Sequence, residues 1–332
     1  MEAASMANNS QDLSLLIYIP ALNEEKTIHD VIKKLPQKIE GVGKISCLVI
    51  DDGSKDRTAE IAKEAGVVVL SHSKNFGLGI AFRNAVRYSL ENDFDILVGI
   101  DADNQFDPAE IPRLITDIID EKASMVIGNR FNRGRPKNMP IIKYWGNFMV
   151  ATLLNFFSDE KLRDVSCGYR AYSREVLLHM NLFGIFSYTH ESILSIKLKG
   201  LNIKEYPIKV TYFEGRRSRL ATSILNYFVQ SSIIIFRVLL DFKPIMVFGL
   251  PGLLSILISV IFGVYLLLHF FNTGAYTPYK AYGFFSLGFA IIGFLLLLIG
   301  LLADMVNRIR LNQEKMIYQL KRIIYDKKKL GK

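Results

Sequence analysis

The chain has 332 residues, half of them hydrophobic, with a mean hydropathy of +0.22 and a formal net charge of +9. That is apolar for a water-soluble protein and leaves room for one ordinary domain plus membrane-embedded segments. Cys47 and Cys167 stand far apart in unlike contexts, which excludes a disulfide framework and a cysteine-based zinc site. The basic surplus shows no zinc-finger, RNP-like or basic-zipper spacing, which excludes nucleic acid as the partner.

Residues 1–13 are polar and carry Glu2 and Asp12, so they read as a flexible segment and not a signal peptide. The N-terminal region is therefore expected in the cytoplasm. Residues 15–20 (LLIYIP) predict a first strand, followed by a helix with Ile28, Val31, Ile32 and Leu35 on one face. Strands at 45–50, 67–70, 95–100 and 125–128 alternate with helices at 56–65, 78–91 and 108–121. Strands and helices in alternation predict an α/β domain with a mostly parallel sheet flanked by helices. Ligands of such sheets bind outside the carboxyl ends of the strands. Pro20–Glu24, Asp51–Ser54, Asp101–Gln105 and Asn129–Arg130 all fall at such ends.

One of these ends reads 99-GIDADNQFDPAE-110. Side chains at i and i+2 of an extended chain point to the same side, so Asp101 and Asp103 converge if the strand geometry persists. Converging carboxylates repel unless a cation sits between them. An ordinary acidic turn is the other reading, and Asp107-Pro108 has the pattern of a helix N-cap with proline at the first helical position. Four polar strand ends on one side of the sheet favour the cation.

Further along, residues 141–157 predict an apolar-rich helix with Ile141, Trp145, Met149 and Leu153. A loop into a strand follows at 164–172, then a helix at 190–199 and a strand at 203–212. Residues 221–243 read as an amphipathic helix on a membrane surface. Residues 245–271 and 282–303 lack charge and each exceeds the roughly 20 residues that span a bilayer. The loop between them carries only Lys280, whereas the tail 304–332 carries Arg308, Arg310, Lys315, Lys321, Arg322, Lys327, Lys328, Lys329 and Lys332. The positive-inside rule then puts the tail and the domain 14–220 on the cytoplasmic side. The apolar helices also offer an assembly interface for a homo-oligomer.

The ordered motifs are IPALNEE (19–25), VIDDGSKDRT (49–58), NFGLGIAFRNA (75–85), GIDADNQFDPAEI (99–111), GNRF (128–131), DVSCGYRAYSREVL (164–177) and GRRSR (215–219). Over residues 14–220 this set resembles the dolichyl- and polyprenyl-phosphate hexosyltransferases, family-two glycosyltransferases with the GT-A fold. The two apolar segments match the membrane-anchored branch. The resemblance implies inverting transfer of mannose, glucose or an N-acetylhexosamine from a GDP- or UDP-linked sugar to dolichyl or polyprenyl phosphate in a membrane. It implies that Asp101, Asp103 and Gln105 hold Mg²⁺ or Mn²⁺, with Ala102 in the same loop. It implies a nucleotide-sugar site across Pro20, Leu22, Glu24, Ile50, Asp51 and Asp52, with either aspartate reading the nucleoside. Arg130, Arg216, Arg217, Ser218 and Arg219 are implied to bind the acceptor phosphate. Asp103, Arg130, Asp164 and Arg219 are implied to carry catalysis, and His190 is open between a structural role and contact with metal or sugar.

The Gly77-x-Gly79 loop lacks the third glycine of a dinucleotide fingerprint, because position 82 is Phe. Two rivals share part of the pattern. A processive polysaccharide synthase would carry a Q-x-x-R-W motif, which the single tryptophan, Trp145, preceded by Tyr144, does not supply. A non-catalytic, membrane-anchored scaffold would have no use for Asp101, Asp103, Gln105, Arg130 and Arg219 together.

Overall fold

A computed structural model of the chain describes residues 13–158, 161–181, 188–213, 240 and 244–330. The chain divides into two compact units, one of residues 1–224 with 317–332, the other of residues 225–316. The first unit contains β1 (Leu13–Ala21), α1 (Ile28–Lys33), β2 (Val42–Asp51), α2 (Thr58–Glu64), β3 (Val68–Ser71), α3 (Leu78–Glu91) and β4 (Ile96–Gly99). A 3₁₀ turn, Pro108–Glu110, leads into α4 (Ile111–Ile119). Then come β5 (Met125–Asn129), α5 (Ile141–Ser158), β6 (Arg170–Ser173), α6 (Arg174–His179), α7 (Tyr188–Leu198) and β7 (Ile203–Pro207).

The seven strands form one sheet in the order β3-β2-β1-β4-β6-β5-β7. Leu15, Leu16, Ile17, Tyr18 and Ile19 are all fully buried, as expected of a central strand covered by helices on both faces. The helices supply that cover with one apolar face each: α1 buries Ile28, Val31 and Ile32, and α4 buries Ile111, Leu114, Ile115 and Ile118. β1 pairs in parallel with β2 and β4, and β5 with β7. β6 runs antiparallel to both β4 and β5, so the sheet is mixed. The chain enters β6 at Arg170, opposite Gly99 of β4 and Ile127 of β5, and runs back between them. This hangs the loop 161–169 over the carboxyl ends of both strands.

β7 ends at Pro207, earlier than the pattern over 203–212 predicts, because its partner β5 ends at Asn129. The residues beyond it turn toward the acidic loop, where Val210 bridges to Phe106 and Thr211 N donates to Gln105 O at 3.0 Å.

The second unit is helical. α8 (Pro244–Thr273) and most of α9 (Lys280–Leu330) are long and apolar enough to cross a membrane. Ser255 and Ser259 hydroxyls donate to Phe289 O at 2.9 Å and Ser286 O at 2.7 Å, polar bonds of the kind that join helices in lipid. The end of α9, from Ile317, belongs to the first unit. There the Tyr318 ring stacks on His179 at 3.8 Å and its hydroxyl donates to Glu175 at 2.9 Å. Lys321 Nζ donates to Met180 O at 2.6 Å and to Asn181 Oδ1 at 3.0 Å. The predicted surface helix 221–243, apart from residue 240, and the basic group Arg216, Arg217, Ser218 and Arg219 lie outside the described residues.

Candidate active site

β4 stops at Gly99, and Asp101 and Asp103 follow at its carboxyl end. Asp103 Oδ1 accepts the Gln105 N–H at 3.1 Å, and Asn104 takes φ 59°, a left-handed conformation that asparagine tolerates. Lys34 of the segment after α1 donates to Asn104 Oδ1 at 3.1 Å. The backbone of the loop before β6 closes on Asp101 from the other side. A Cβ at Gly168 would stand 3.3 and 3.4 Å from the two Asp101 carboxylate oxygens, so a larger residue would require that carboxylate to give by a few tenths of an ångström. Burial, then the Asp103 carboxylate, push the Asp101 carboxyl up to about 7, against the pull of Arg130.

Two carboxylates in this electrostatic tension fit a divalent cation. Oxygen donors suit Mg²⁺ or Mn²⁺. Among the described residues no group of three or more His, Cys, Asp or Glu side chains gathers for a metal. The protein's donors would then be Asp101, Asp103 and the partly exposed Gln105, with further positions for ligand oxygens and water.

The ends of β1 and β2 lie beside this loop. Pro20 pairs with Ile50 and Ala21 with Asp51, and Asp52 N donates to Ala21 O at 2.9 Å. Ile50 and Ala102 side chains are buried, so these two residues offer a ligand only their main chain. Leu22 and Glu24 sit on a loop interlocked with the one after β2: Asn23 N donates to Ser54 Oγ at 2.9 Å and Glu24 N to Thr58 Oγ1 at 2.8 Å. Gly53, at φ +78°, turns the chain just after Asp52.

The two neighbouring aspartates have different surroundings. Asp52 meets His72 Nδ1 at 2.7 Å and accepts Phe76 N at 2.9 Å and Gly77 N at 2.8 Å. The other His72 nitrogen meets Asn84 Nδ2 at 2.8 Å. Asp52 is thereby committed to holding the 72–77 segment. Asp51 accepts Ser54 N at 3.0 Å through one oxygen. No spacing in the sequence signals the His72 clamp, because its partner lies across two strands.

Arg130, just beyond β5, is held by Asp164. Its Nε lies 2.6 Å from Asp164 Oδ2 and its Nη2 2.8 Å from Oδ1, while Nη1 donates to Tyr212 Oη at 3.2 Å and Nη2 to Ser166 Oγ at 2.8 Å. Four of the five guanidinium N–H groups are thus used inside the protein. Burial disfavours the Arg130 charge, but Asp164 overrides it and holds the guanidinium's pKa well above its usual range. Asp164 is itself fully buried and also accepts Cys167 N at 3.1 Å. Glu205 accepts Arg163 N and Asp164 N at 2.6 and 2.7 Å. Asn147 of α5 accepts Val165 N at 3.1 Å, and the buried Arg170 donates to Val165 O, Cys167 O and Thr189 O at 2.6–2.7 Å. Asp164 and Arg170 thus fasten the loop from within.

Lys143, in the first turn of α5, is the residue that motif reasoning missed. Asp103 and Asp101 both act electrostatically on its ammonium, as does Arg130. Burial and then Arg130 hold its pKa below the usual range, with the two carboxylates opposing. The signal in the sequence is only a lone lysine in an otherwise uncharged helix. Two buried tyrosines, Tyr18 and Tyr188, with hydroxyls 3.0 Å apart, lie within electrostatic reach of Asp101. The side chains of His190 and Glu191 lie outside the described residues.

Residues 16–180 match the family described as glycosyl transferase family 2. An uncharacterized protein of Methanocaldococcus jannaschii is 34% identical over 68% of this chain and 92% of its own. A UDP-N-acetylglucosamine–dolichyl-phosphate N-acetylglucosaminyltransferase of Methanococcus voltae is 29% identical over 65% of this chain and 93% of its own. A dolichyl-phosphate hexose transferase of Haloferax volcanii is 30% identical over 58% and 81%. Among solved structures, glucosyl-3-phosphoglycerate synthase of Mycobacterium tuberculosis, in complex with Mn²⁺, UDP and glucosyl-3-phosphoglycerate, superposes with a TM-score of 0.52 at 20% identity. It covers 67% of this chain and 80% of its own, and it shares the fold. The mixed sheet, the paired aspartates at the end of β4 and these matches together identify the chain as a glycosyltransferase of family 2, with a GT-A fold and two apolar helices after it.

Proposed function

We propose that this enzyme transfers a hexose from a nucleoside-diphosphate sugar to the phosphate of a dolichol or another polyprenol. The observation that carries the reading is the placement of two carboxylates, Asp101 and Asp103, just past the carboxyl end of β4, with Lys143 within electrostatic reach of both. An anionic pair suits the cation that accompanies a diphosphate, and a cationic side chain near it suits a second anion, the acceptor phosphate. The relatives of M. voltae and H. volcanii are named for dolichyl-phosphate acceptors, and α8 and α9 would keep this chain at a membrane where such lipids reside.

Asp101, Asp103 and Gln105 would hold Mg²⁺ or Mn²⁺, which supplies charge neutralisation at the leaving diphosphate. Asp51, with one oxygen committed to Ser54 against three contacts at Asp52, is the better candidate to read the nucleoside. It would do so together with Pro20, Leu22 and Glu24. An acceptor phosphate is already anionic at neutral pH, so its oxygen attacks the anomeric carbon without a general base. The bond from that carbon to the diphosphate oxygen breaks with its electron pair on the oxygen, and the configuration inverts. Lys143 aligns the incoming phosphate, with Arg216, Arg217 and Arg219 as further candidates from outside the described residues. Arg130, largely paired already, adds fixed positive charge and holds the loop. The nine basic residues of the tail support a cytoplasmic catalytic domain. So does the docking of Tyr318 and Lys321 onto Glu175 and Met180, which keeps tail and domain in one compartment.

The test is incubation of the full-length enzyme in membranes with a polyprenyl phosphate and a panel of labelled UDP- and GDP-sugars. A lipid-extractable, mild-acid-labile product that needs Mg²⁺ or Mn²⁺ is expected from at least one donor. No such product from any donor refutes the proposal.

A further inference from the structure

The last turns of α9 border a cavity together with α3 and the chain at the end of α6. Its volume is about 360 Å³, and Arg83, Arg87, Asn181, Lys321 and Tyr325 line it. Apolar side chains, Leu90 and Ile317 among them, form the rest of the wall. Among the described residues that line it there is no carboxylate. None of the residues assigned to sugar transfer lines it either. Arg83 and Arg87 stand four residues apart on α3, a spacing at which like charges destabilise a helix. Lys321 adds a third cation, and its ammonium donates to two neutral groups, Met180 O at 2.6 Å and Asn181 Oδ1 at 3.0 Å. Burial, and then Lys199, push its pKa down to about 8, the response of a desolvated cation beside another cation.

A neutral donor is left over at the same place. The bond from Lys321 fixes which end of the Asn181 amide is oxygen, and the other end, Nδ2, is buried with no hydrogen-bond partner. An unpaired buried donor is costly, and a ligand oxygen would satisfy it. The lining also says what kind of ligand that is. Guanidinium groups match phosphate oxygens in geometry as well as charge. The cavity is larger than a phosphate group alone and falls in the size range of small-molecule sites. Its remaining wall is apolar, with the Tyr325 ring on the tail side.

We propose that this cavity is a second anion site, separate from the sugar site, and that it takes a phosphate ester with an apolar or aromatic body. Arg83, Arg87 and Lys321 supply the charge, Asn181 Nδ2 donates to a phosphate oxygen, and Leu90, Ile317 and Tyr325 cover the organic part. The ligand bridges α3 to α9. Arg174 already holds the tail at this point by donating to Tyr325 O at 3.2 Å. A ligand that binds only the docked arrangement stabilises it in proportion to its concentration over its Kd, so the grip on the tail follows the supply of that phosphate.

Phenyl phosphate serves as the soluble probe. It is titrated calorimetrically into the full-length protein in detergent, with EDTA present so that no divalent metal is at Asp101 and Asp103. Binding is expected, weakened about tenfold or more in Arg87→Gln, which changes an exposed side chain, and unchanged in Lys143→Ala. Lys321→Met should weaken it as well. Hydrogen exchange of the tail segment 317–325 should slow about tenfold when the probe is near ten times its Kd. The same exchange measurement in nanodiscs with and without phosphatidic acid distinguishes a lipid from a soluble ester. Protection by phosphatidic acid alone, lost in Arg87→Gln, supports the site and names a lipid as its source. Protection by neither ligand refutes the proposal. Binding that survives Arg87→Gln but disappears in Lys143→Ala belongs to the sugar site and refutes it too. No sugar donor, metal or turnover enters these readouts, so their failure is separable from failure of the transferase reading.

Discussion

Arg130 and Asp164 form a buried, two-point ion pair, with Nε 2.6 Å from one carboxylate oxygen and Nη2 2.8 Å from the other. Asp164 has no solvent exposure, and the pair ties the end of β5 to the loop that covers Asp101. Losing one partner of such a pair leaves an uncompensated buried charge. Asp164→Asn is expected to cost about 3–5 kcal/mol of stability in the α/β domain, read by chemical denaturation. Arg130→Met with Asp164→Leu should regain much of that loss without regaining activity. A wild-type unfolding curve for Asp164→Asn would rule out the clamp.

Lys143 should behave in the opposite way. Its ammonium makes no ion pair among the described residues, so Lys143→Ala should leave stability within about 0.5 kcal/mol of wild type. Turnover should fall by about 10²–10³, the range seen when one preorganised charge at a transition state is removed. Lys143→Arg should restore part of the rate. Steady-state kinetics with varied acceptor would show the loss, and an unchanged kcat/KM would exclude Lys143 from the site.

Gly168→Ala tests the cradle of Asp101. The added methyl would press on both carboxylate oxygens at 3.3–3.4 Å. Loss of support for a metal ligand typically weakens binding 10–100-fold, so Mn²⁺ affinity should drop by about that factor. Electron paramagnetic resonance of free Mn²⁺ measures this without turnover. Equal affinity in the variant would show that Asp101 does not need the glycine.

Lys321 should give the docked tail a pH dependence. Burial, and then Lys199, lower its pKa to about 8 from 10.5. Between those values the unfolded chain holds a proton that the folded one lacks, so stability rises with pH across the window and is lost as pH falls toward 8. Lys321→Met removes the titration. The stability of wild type relative to this variant should therefore improve from pH 8 to pH 10, followed by thermal unfolding at several pH values. A constant difference would contradict the buried ammonium.

The alternation of apolar strands with helices was legible in the sequence, because each pattern encodes its own period and burial. So were the two apolar helices, since hydrophobic length alone defines them, and the strand-end position of Asp101 and Asp103. The spacing stopped short wherever a contact joins residues distant along the chain. It left β6 without a direction, because antiparallel insertion between β4 and β5 depends on where the loop 161–169 re-enters. It could not separate Asp51 from Asp52, which differ through His72, 20 residues away from Asp52. Nor could it see that Arg130 is largely spent on Asp164, or that Lys143 comes within electrostatic reach of the carboxylates while its helix also carries exposed aromatics. Composition and periodicity determine which surfaces must be covered; only the folded chain decides which charges become neighbours, because Coulombic and hydrogen-bond energies act across space and not along sequence.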